Sequence, residues 1–151
     1  MQLTLYTDYS LRVLIYLSLY PEKLVTISEI TDFYQISRNH LVKVVHNLSQ
    51  KGFIESSRGK HGGLRLARGA DQILIGQVVR ATEPGFDMLA CFDAKGAAGC
   101  RVLPLCKLKG VINQVTNEFL LKLDEYTLAD VLSEPPDGQS TVIEFLGLPR
   151  K

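Results

Sequence analysis

Three cysteines are the only thiols of the 151-residue chain, and they lie close together at Cys91, Cys100 and Cys106. Thiolates are preferred ligands of zinc and of iron–sulfur clusters. Because the spacing lacks a Cys-x-x-Cys pair, it argues against a zinc ribbon or a thioredoxin-type site. We predict a metal site on a glycine- and alanine-rich loop, with a fourth ligand from outside it. The alternative is three small buried apolar side chains.

A second group of residues suits the binding of a polyanion. Between residues 38 and 68 the chain carries seven lysines and arginines and one glutamate, a net charge of +6, whereas the remainder carries −5. All three histidines lie in the same block. Such a concentration of positive charge in a nearly neutral chain indicates a polyanionic partner bound by one face. The alternative is a solvated face that acidic residues balance elsewhere.

The basic block begins on a predicted helix-turn-helix. Thr7 is expected to cap a first, largely apolar helix that Pro21 ends. Thr26 and Glu29 have the spacing of a capping box, which predicts the start of a second helix. Ser37 then caps a third helix with a basic polar face, typical of a recognition helix in the major groove. The apolar face of this third helix repeats at i, i+3, i+4 and i+7 through Leu41, Val44, Val45 and Leu48.

A glycine-rich basic hairpin is predicted directly after the third helix. Two short strands, Phe53–Glu55 and Leu64–Ala67, flank the segment Ser57–Gly63, whose glycines permit tight turns. A hairpin in this position is the wing of a winged helix, and its cationic tip suits the minor groove or flanking phosphates. A plain flexible loop is the alternative. The predicted DNA-contacting residues are Ser37, Arg38, Asn39, His40, Lys43, Arg58, Lys60, His61 and Gly62.

The apolar pattern after the cysteines predicts a long helix from Cys106 to about Asp124. Such a helix extends roughly 28 Å, comparable with a whole small domain, which favours packing against a second copy of the chain. Packing on the first helix of the same chain is the alternative, and we expect some of both. A short helix, Ile75–Ala81, precedes the cysteines, and a last one, Leu128–Leu132, follows the long helix. The predicted dimerisation residues are Val111, Ile112, Val115 and Phe119.

The expected fold class is mainly α with a small β-hairpin. Hydrophobic residues make up 46% and charged residues 22% of the chain, which excludes a disordered protein. The N-terminus lacks a signal-peptide pattern and no apolar run could span a membrane, so we expect a cytoplasmic protein without membrane contact. The sequence offers no nucleophile–base pair and no phosphate-binding loop, so we do not expect an enzyme. The expected segments are a winged helix-turn-helix domain (1–83), a cysteine loop (84–106), a dimerisation helix with a short helix (107–134) and a tail (135–151).

Several motifs together carry a resemblance to a known family. They are Met1-Gln2-Leu3-Thr4, Thr7-Asp8-Tyr9-x-Leu11-Arg12, Ile36-Ser37-Arg38-Asn39-His40-Leu41-Val42-Lys43, Arg58-Gly59-Lys60-x-Gly62-Gly63 and the three-cysteine loop. The chain resembles a family of bacterial winged-helix regulators with iron–sulfur clusters. The family contains NsrR-type nitric-oxide-sensing repressors, which the motifs resemble most, and IscR-type regulators of iron–sulfur assembly. The resemblance extends over residues 1–132 and is specific in residues 1–66.

The resemblance implies a homodimer that binds double-stranded operator DNA and holds one iron–sulfur cluster, [4Fe-4S] or [2Fe-2S], in each subunit. It implies Cys91, Cys100 and Cys106 as cluster ligands, and Asp8 of the partner subunit as an oxygen ligand. Assembly regulators carry a histidine three residues after the last cysteine, where this chain has Lys109, a poor ligand. The resemblance therefore favours the nitric-oxide-sensing branch. The gap between the first two cysteines is longer than is usual in the family.

These observations predict a dimeric transcriptional repressor whose iron–sulfur cluster senses nitric oxide. One alternative is an iron- or redox-sensing regulator on the same fold. Another is an iron–sulfur carrier without DNA binding, which the basic block disfavours because a carrier needs no cationic helix followed by a cationic hairpin. A structural zinc site in a constitutive DNA-binding protein is the last alternative.

Overall fold

The structure, a computed structural model, describes residues 2–59 and 62–132. Within these ranges it is mainly helical with one two-stranded hairpin, which confirms the expected fold class. The predicted contacts at Lys60 and His61, residues 133 and 134, and the tail from residue 135 lie outside the described residues. The elements are α1 (Leu5–Leu19), α2 (Ile27–Tyr34), α3 (Arg38–Gln50), β1 (Ile54–Ser57), β2 (Gly63–Leu66), α4 (Ile75–Thr82), α5 (Ala94–Ala98) and α6 (Leu108–Leu123), with single 3-10 turns at Ala70–Gln72, Ala90–Phe92, Leu103–Leu105 and Asp130–Leu132.

Helix α1 begins earlier than the sequence predicts. Thr4 is the N-cap, and its hydroxyl oxygen accepts a hydrogen bond from the Thr7 backbone N–H at 3.3 Å. Thr7 is fully buried inside the helix and hydrogen-bonds to Thr82 of α4, with 2.9 Å between the hydroxyl oxygens. The prediction of Thr7 as the cap is therefore wrong. Thr4 offers the same capping chemistry, and its N–H and hydroxyl also donate to the Glu83 carboxylate at 2.8 and 3.0 Å, so a tertiary contact decides where α1 begins.

The helix-turn-helix is present as predicted, and local sequence explains it. Thr26 and Glu29 form the complete capping box of α2. Hydrogen bonds from Lys23 and then from the Thr26 N–H lower the pKa of Glu29, so the capping carboxylate stays ionised. Gln35 ends α2 in the left-handed conformation, with φ of 54°. Ser37 stands at the N-cap of α3, although its side chain makes no capping hydrogen bond within the described residues.

The hairpin packs back onto the segment that leads into α2. Strands β1 and β2 are antiparallel, with Ser56 opposite Leu64 and Ser57 opposite Gly63. Val25 forms an isolated bridge to Leu64, with backbone hydrogen bonds of 2.9 and 2.8 Å in the two directions. The hairpin is therefore anchored at its second strand, close to the helix-turn-helix.

The hydrophobic core is centred on α1, which packs against α3, α4 and β2. The predicted apolar face of α3 points into this core: its four residues are all buried. Burying each such aliphatic side chain stabilises the fold by about 1.5–3 kcal/mol. The largest fully buried side chains are Val13, Leu14, Leu17, Val25, Ile30, Leu41, Val44, Leu48, Ile73, Val78, Val79 and Leu128.

Helix α6 is attached to α4 through its C-terminal half. Thr116 and Leu120 are the buried residues of α6. Gly76 of α4 permits a close approach, since a Cβ at this position would lie 2.2 Å from Asp124 Oδ1. Arg80 of α4 donates two hydrogen bonds of 2.7 Å to the Asp124 carboxylate. Within the chain, α6 therefore has its main contact with α4, a helix that the sequence analysis did not name as its partner.

Asp124→Asn is expected to weaken the α4–α6 contact and to reduce the acid dependence of stability. The hydrogen bonds from Arg80 lower the Asp124 pKa below its ordinary value of 3.8. A carboxylate with a depressed folded-state pKa stabilises the fold above its unfolded pKa, and this stabilisation disappears as the pH falls through the folded pKa. Because the pair is partly exposed to solvent, the expected loss at neutral pH is about 0.5–1 kcal/mol.

Thermal unfolding as a function of pH measures this effect. The variant and the wild type should differ at neutral pH and converge at the acid end. Asp32→Asn, which removes an exposed carboxylate of α2, is the matched control. A loss of stability that is equal at all pH values would contradict the role of the ion pair.

Candidate nucleic-acid interface and cysteine segment

Helix α1 fixes the N-terminal half of α3. The Tyr6 hydroxyl donates a hydrogen bond of 3.2 Å to the Lys43 carbonyl. Burial raises the pKa of Tyr6, which keeps this hydroxyl protonated as a donor. On the next turn of α1 the Tyr9 ring lies against the His40 ring, with 6.0 Å between the centroids, within the range of favourable ring pairs. The position of α3 therefore depends on the position of α1.

The predicted DNA-contacting residues of α3 lie on its exposed surface. The first two turns of the helix present hydrogen-bond donors and positive charge outward, while Leu41 faces the core. Donors of this kind, held on a rigid helix, suit both base edges and phosphates. The exposed residues are Ser37, Arg38, Asn39, His40 and Lys43.

Arg38 makes a contact that the sequence did not predict. Its guanidinium donates a hydrogen bond of 2.7 Å to the Ser28 hydroxyl, in the first turn of α2. The capping box places Ser28 in this turn, but no sequence pattern shows that Arg38 reaches it. In the described parts of the chain, no carboxylate forms an ion pair with Arg38. The charge of Arg38 is therefore available to an anion.

The arginines in and near the hairpin fall into two groups, those bound within the fold and those exposed to solvent. Arg65 pairs with Glu55 across the strands at 2.6 Å. Arg68 lies over the Phe53 ring at 5.1 Å and donates to backbone carbonyls. These two arginines stabilise the fold, whereas Arg58 is exposed beyond the end of β1. The basic block thus supplies fewer cations to a partner than its net charge indicates.

Two glycines shape the tip of the hairpin. Gly59 has a φ of 107°, a conformation that other residues rarely adopt. A Cβ at Gly62 would lie 2.2 Å from the Ser57 carbonyl oxygen. Gly62, a predicted DNA contact, thus has a structural role and offers a partner only its backbone.

Gly62→Ala is expected to distort the hairpin, because the backbone around Ser57 must move to admit the methyl group. The strain should be of the order of 1–3 kcal/mol. Amide chemical shifts of β1 and β2, with thermal unfolding, measure the change. Gly85→Ala is the matched control, since a Cβ there meets no described atom within 4 Å. Unchanged β1 and β2 shifts in Gly62→Ala would contradict the close contact.

The cysteine segment contains short helices, so the prediction of a loop without regular structure is wrong. Cys91 lies in the 3-10 turn Ala90–Phe92, and Cys100 follows the end of α5. The side chain of Asp93 caps α5 by accepting a hydrogen bond from the Lys95 N–H at 3.2 Å. Alanine favours a helix and aspartate favours an N-cap, which explains a helix where composition suggested a flexible loop.

The long gap between the first two cysteines folds back on itself. A Cβ at Gly96 would lie 2.0 Å from the carbonyl oxygen of Ala90, the residue before Cys91. A helical turn is also shorter than an extended chain of the same number of residues. At the other end of the segment, Lys109 lies over the Phe92 ring at 5.5 Å. The position where an assembly regulator would carry histidine is thus occupied by a cation in contact with the turn that holds Cys91.

The three thiols are free and partly buried. Among the described residues, the structure does not gather three His, Cys, Asp or Glu side chains into one metal-binding group. The donor set itself fits an iron–sulfur cluster, because Cys91, Cys100 and Cys106 are soft ligands on one segment and none is consumed by a disulfide. Three thiolates would leave one ligand position to a group from outside the segment.

Asp8 is engaged within its own chain. Its carboxylate accepts a hydrogen bond of 2.9 Å from Arg12 Nε, one turn further along α1. The Arg12 guanidinium also lies 5.6 Å from the centre of the Tyr34 ring. The side chains of Asp8 and Arg12 are 40% and 43% exposed. A ligand role for Asp8 therefore requires that it exchange an exposed ion pair for a metal.

The outer face of α6 is apolar and exposed. Val111 and Val115 are each 53% exposed, and Leu108 is 51% exposed. The other two predicted dimerisation residues, Ile112 and Phe119, are partly buried. The four predicted dimerisation residues thus join the face of α6 that packs on α4 to a face that is exposed among the described residues.

Comparison with known proteins identifies the family. The model of the Rrf2 family, described as iron-dependent transcriptional regulators, matches residues 3–134. The chain belongs to the Rrf2 family. This finding confirms the expected class of regulator and the expectation that the chain is not an enzyme. It does not extend to the nitric-oxide-sensing branch, which stays a prediction.

Several solved structures have the same fold. IscR of T. potens is 22% identical, with 96% of each chain covered and a TM-score of 0.71. CymR, named as the global cysteine regulator of B. subtilis, is 21% identical over 86% of this chain and 95% of its own, with a TM-score of 0.63. A Listeria innocua structure described as a transcriptional regulator is 22% identical over 95% and 97%, with a TM-score of 0.68. At these identities the likeness shows the fold alone.

The Rrf2 assignment gives a role to the winged helix. Rrf2 regulators bind DNA, and the exposed turns of α3 and the hairpin stay the predicted contact surface in this chain. Within residues 2–59 and 62–132, no helix is both long enough and apolar enough to cross a membrane.

Proposed function

We propose that this Rrf2 protein is a homodimeric transcriptional repressor that binds double-stranded operator DNA and senses nitric oxide through an iron–sulfur cluster. The observation that carries the proposal is the arrangement of α1. This helix bears Asp8, the candidate ligand, between Tyr6 and Tyr9, which hold the recognition helix. Sensing and DNA binding would therefore share one rigid element.

The exposed part of α3 is proposed to enter the major groove. Asn39 and Lys43 are exposed there and carry donors for base edges, and Arg58 of the hairpin suits a phosphate or the minor groove. A dimer presents two such helices to half-sites about one duplex turn, roughly 34–36 Å, apart or a multiple of it. A small change in their separation then lowers the affinity for an operator of fixed spacing.

Cys91, Cys100 and Cys106 would hold the cluster, together with Asp8 of the partner subunit. When bound, a cluster with three thiolates and one carboxylate supplies an iron whose oxygen ligand is the more exchangeable one, a suitable position for a small diatomic ligand. The sequence leaves the choice between [4Fe-4S] and [2Fe-2S] open.

Asp8 has two alternative partners in this proposal. Within its own chain it pairs with Arg12, and in the dimer it would reach the cysteine segment of the other subunit. When it returns to Arg12, the α1 of one subunit is no longer tied to the other subunit, and the separation of the recognition helices is no longer fixed. A 100-fold loss of operator affinity requires only about 2.7 kcal/mol of differential binding between the two states.

An iron- or redox-sensing regulator on the same fold is the second candidate function. The description of the family as iron-dependent favours it. Titration of anaerobically purified protein with nitric oxide, peroxide and an iron chelator separates the candidates. Loss of operator binding at stoichiometric nitric oxide supports our proposal, whereas loss only on chelation or oxidation supports the alternative. A colourless protein that contains zinc would contradict both.

Asp8→Ala is expected to retain a cluster but to change its visible spectrum and its reaction with nitric oxide. Cys100→Ser should lose or strongly destabilise the cluster, because a thiolate holds iron more firmly than a carboxylate does. Operator affinity of the Asp8 variant should fall even without nitric oxide. Asp32→Ala, an exposed aspartate of α2, is the control and should match the wild type.

A purely structural role of Asp8 predicts a different result. If Asp8 only complements the helix dipole, its replacement costs about 0.3–1 kcal/mol of stability and leaves the spectrum of the holo protein unchanged. Identical holo spectra of Asp8→Ala and the wild type, prepared in the same way without oxygen, would remove Asp8 from the ligand set.

The exposed face of α6 is proposed to form the dimer interface. Val115→Glu would place an unpaired carboxylate in that interface and should yield monomers in analytical ultracentrifugation, with weaker operator binding. The monomer should still fold, since Val115 is exposed within the chain. Asn117→Glu adds the same charge on the opposite side of the helix and should stay dimeric. A dimeric Val115→Glu protein would contradict the interface and leave the apolar face of α6 with an intrachain role.

A further inference from the structure

We propose that Arg38 and Ser28 bind a backbone phosphate of the DNA in a groove between α2, α3 and the hairpin. Arg38 then positions the duplex instead of reading a base edge. This inference rests on the proposed binding of operator DNA and adds a contact to it. The groove is defined by Ser28, Arg38, Ser56, Ser57, Gly62 and Gly63.

The shape of the groove suits a phosphate. It is an open cavity of about 450 Å³ at the junction of the three elements. Ser28 and Arg38 line it from the helices, and Ser56 and Ser57 line it from β1. The hairpin can come this close because Gly63 lacks a side chain: a Cβ there would lie 3.0 Å from the Val25 carbonyl oxygen. Hydroxyl and guanidinium donors are the groups that proteins use for phosphate oxygens.

The charge in the groove also suits an anion. Arg65, Arg80 and Arg12 have carboxylate partners, whereas no carboxylate of the described residues pairs with Arg38. Glu29, in the same turn of α2 as Ser28, is already bound by Lys23 and by the Thr26 backbone N–H. Its charge is therefore offset, and the groove keeps the positive charge of Arg38.

The contact with Ser28 sets the direction of Arg38. One terminal nitrogen of the guanidinium donates to the Ser28 hydroxyl at 2.7 Å, which draws the group toward α2. A bidentate contact with a guanine edge requires an extended arginine side chain whose guanidinium enters the major groove of the DNA. The remaining N–H groups of Arg38 are still available to a phosphate held beside Ser28. Asn39, the next residue, and Lys43 are left as base-reading side chains.

The test compares binding to specific and non-specific DNA. A duplex is first selected from a random pool with the wild-type protein, and an unrelated duplex of the same length serves as the non-specific ligand. Affinities for both are measured across a range of salt concentrations for Arg38→Ala, Ser28→Ala and Asn39→Ala. Lys122→Ala, which removes a positive charge at the far end of α6, is the control, and circular dichroism checks that each variant is folded.

Loss of a phosphate contact should lower both affinities by the same factor. Arg38→Ala should also reduce the salt slope by about 0.9 for each protomer bound. Ser28→Ala should act in the same direction with a smaller effect. Asn39→Ala should lower the affinity for the selected duplex by about 5- to 150-fold, the range of a bidentate base contact, and leave the unrelated duplex unaffected. Lys122→Ala should match the wild type.

Three results would overturn the inference. The first is a loss confined to the selected duplex in Arg38→Ala, which would make Arg38 a base reader. The second is unchanged binding of both duplexes. The third combines two measurements: inorganic phosphate shifts the Ser28 amide resonance, but Arg38→Ala has no effect on duplex binding. This result would show that the site binds only the free anion. Failure of the wild type to select any duplex is a different outcome, since it contradicts the proposed repressor itself and removes the basis of this inference.

Discussion

The contact between α1 and α4 is the constraint on which the rest of the structure depends. Two buried hydroxyls, of Thr7 in the first turn of α1 and of Thr82 at the end of α4, hydrogen-bond at 2.9 Å. This bond joins the two helices at one point, and together with their apolar packing it favours one register. In this register the N-cap residue Thr4 meets Glu83, at the start of the segment that leads to the cysteines. The opposite side of α1 contacts the recognition helix through its tyrosines.

Local patterns were sufficient to predict most of the winged helix. The capping box of Thr26 and Glu29 and the apolar repeat of α3 involve residues within one or two turns, so a single sequence contains the whole signal. The cap of α1 was misplaced because the choice between Thr4 and Thr7 depends on Glu83, 79 residues away. Helix α5 was missed because its glycines and alanines are compatible with both loop and helix, and Asp93 together with packing on Ala90 decides between them.

The candidate site was predicted by residue type but not by contact. The sequence identified the cations of α3 and the hairpin, yet it could not separate those that stabilise the fold from those that face solvent. Arg65 is paired with Glu55 because the strand register places them opposite each other, and register follows from the turn and from the buried face. Arg38 and Ser28 meet because the turn at Gln35 sets the angle between α2 and α3. Neither contact is visible in the local sequence, because each depends on how separate segments pack in three dimensions.

The attachment of α6 to α4 has a mechanical consequence. The helix is held near its C-terminal end by Leu120 and by the Arg80–Asp124 pair, while Leu108 at the other end is exposed. About 18 Å of rigid helix separates Leu108 from Leu120. A tilt of α6 by about 10° about Leu120 moves its N-terminal end, where Lys109 contacts the Phe92 ring, by about 3 Å. Cys106 precedes that end by two residues, so small motions of α4 are magnified where the last thiol lies.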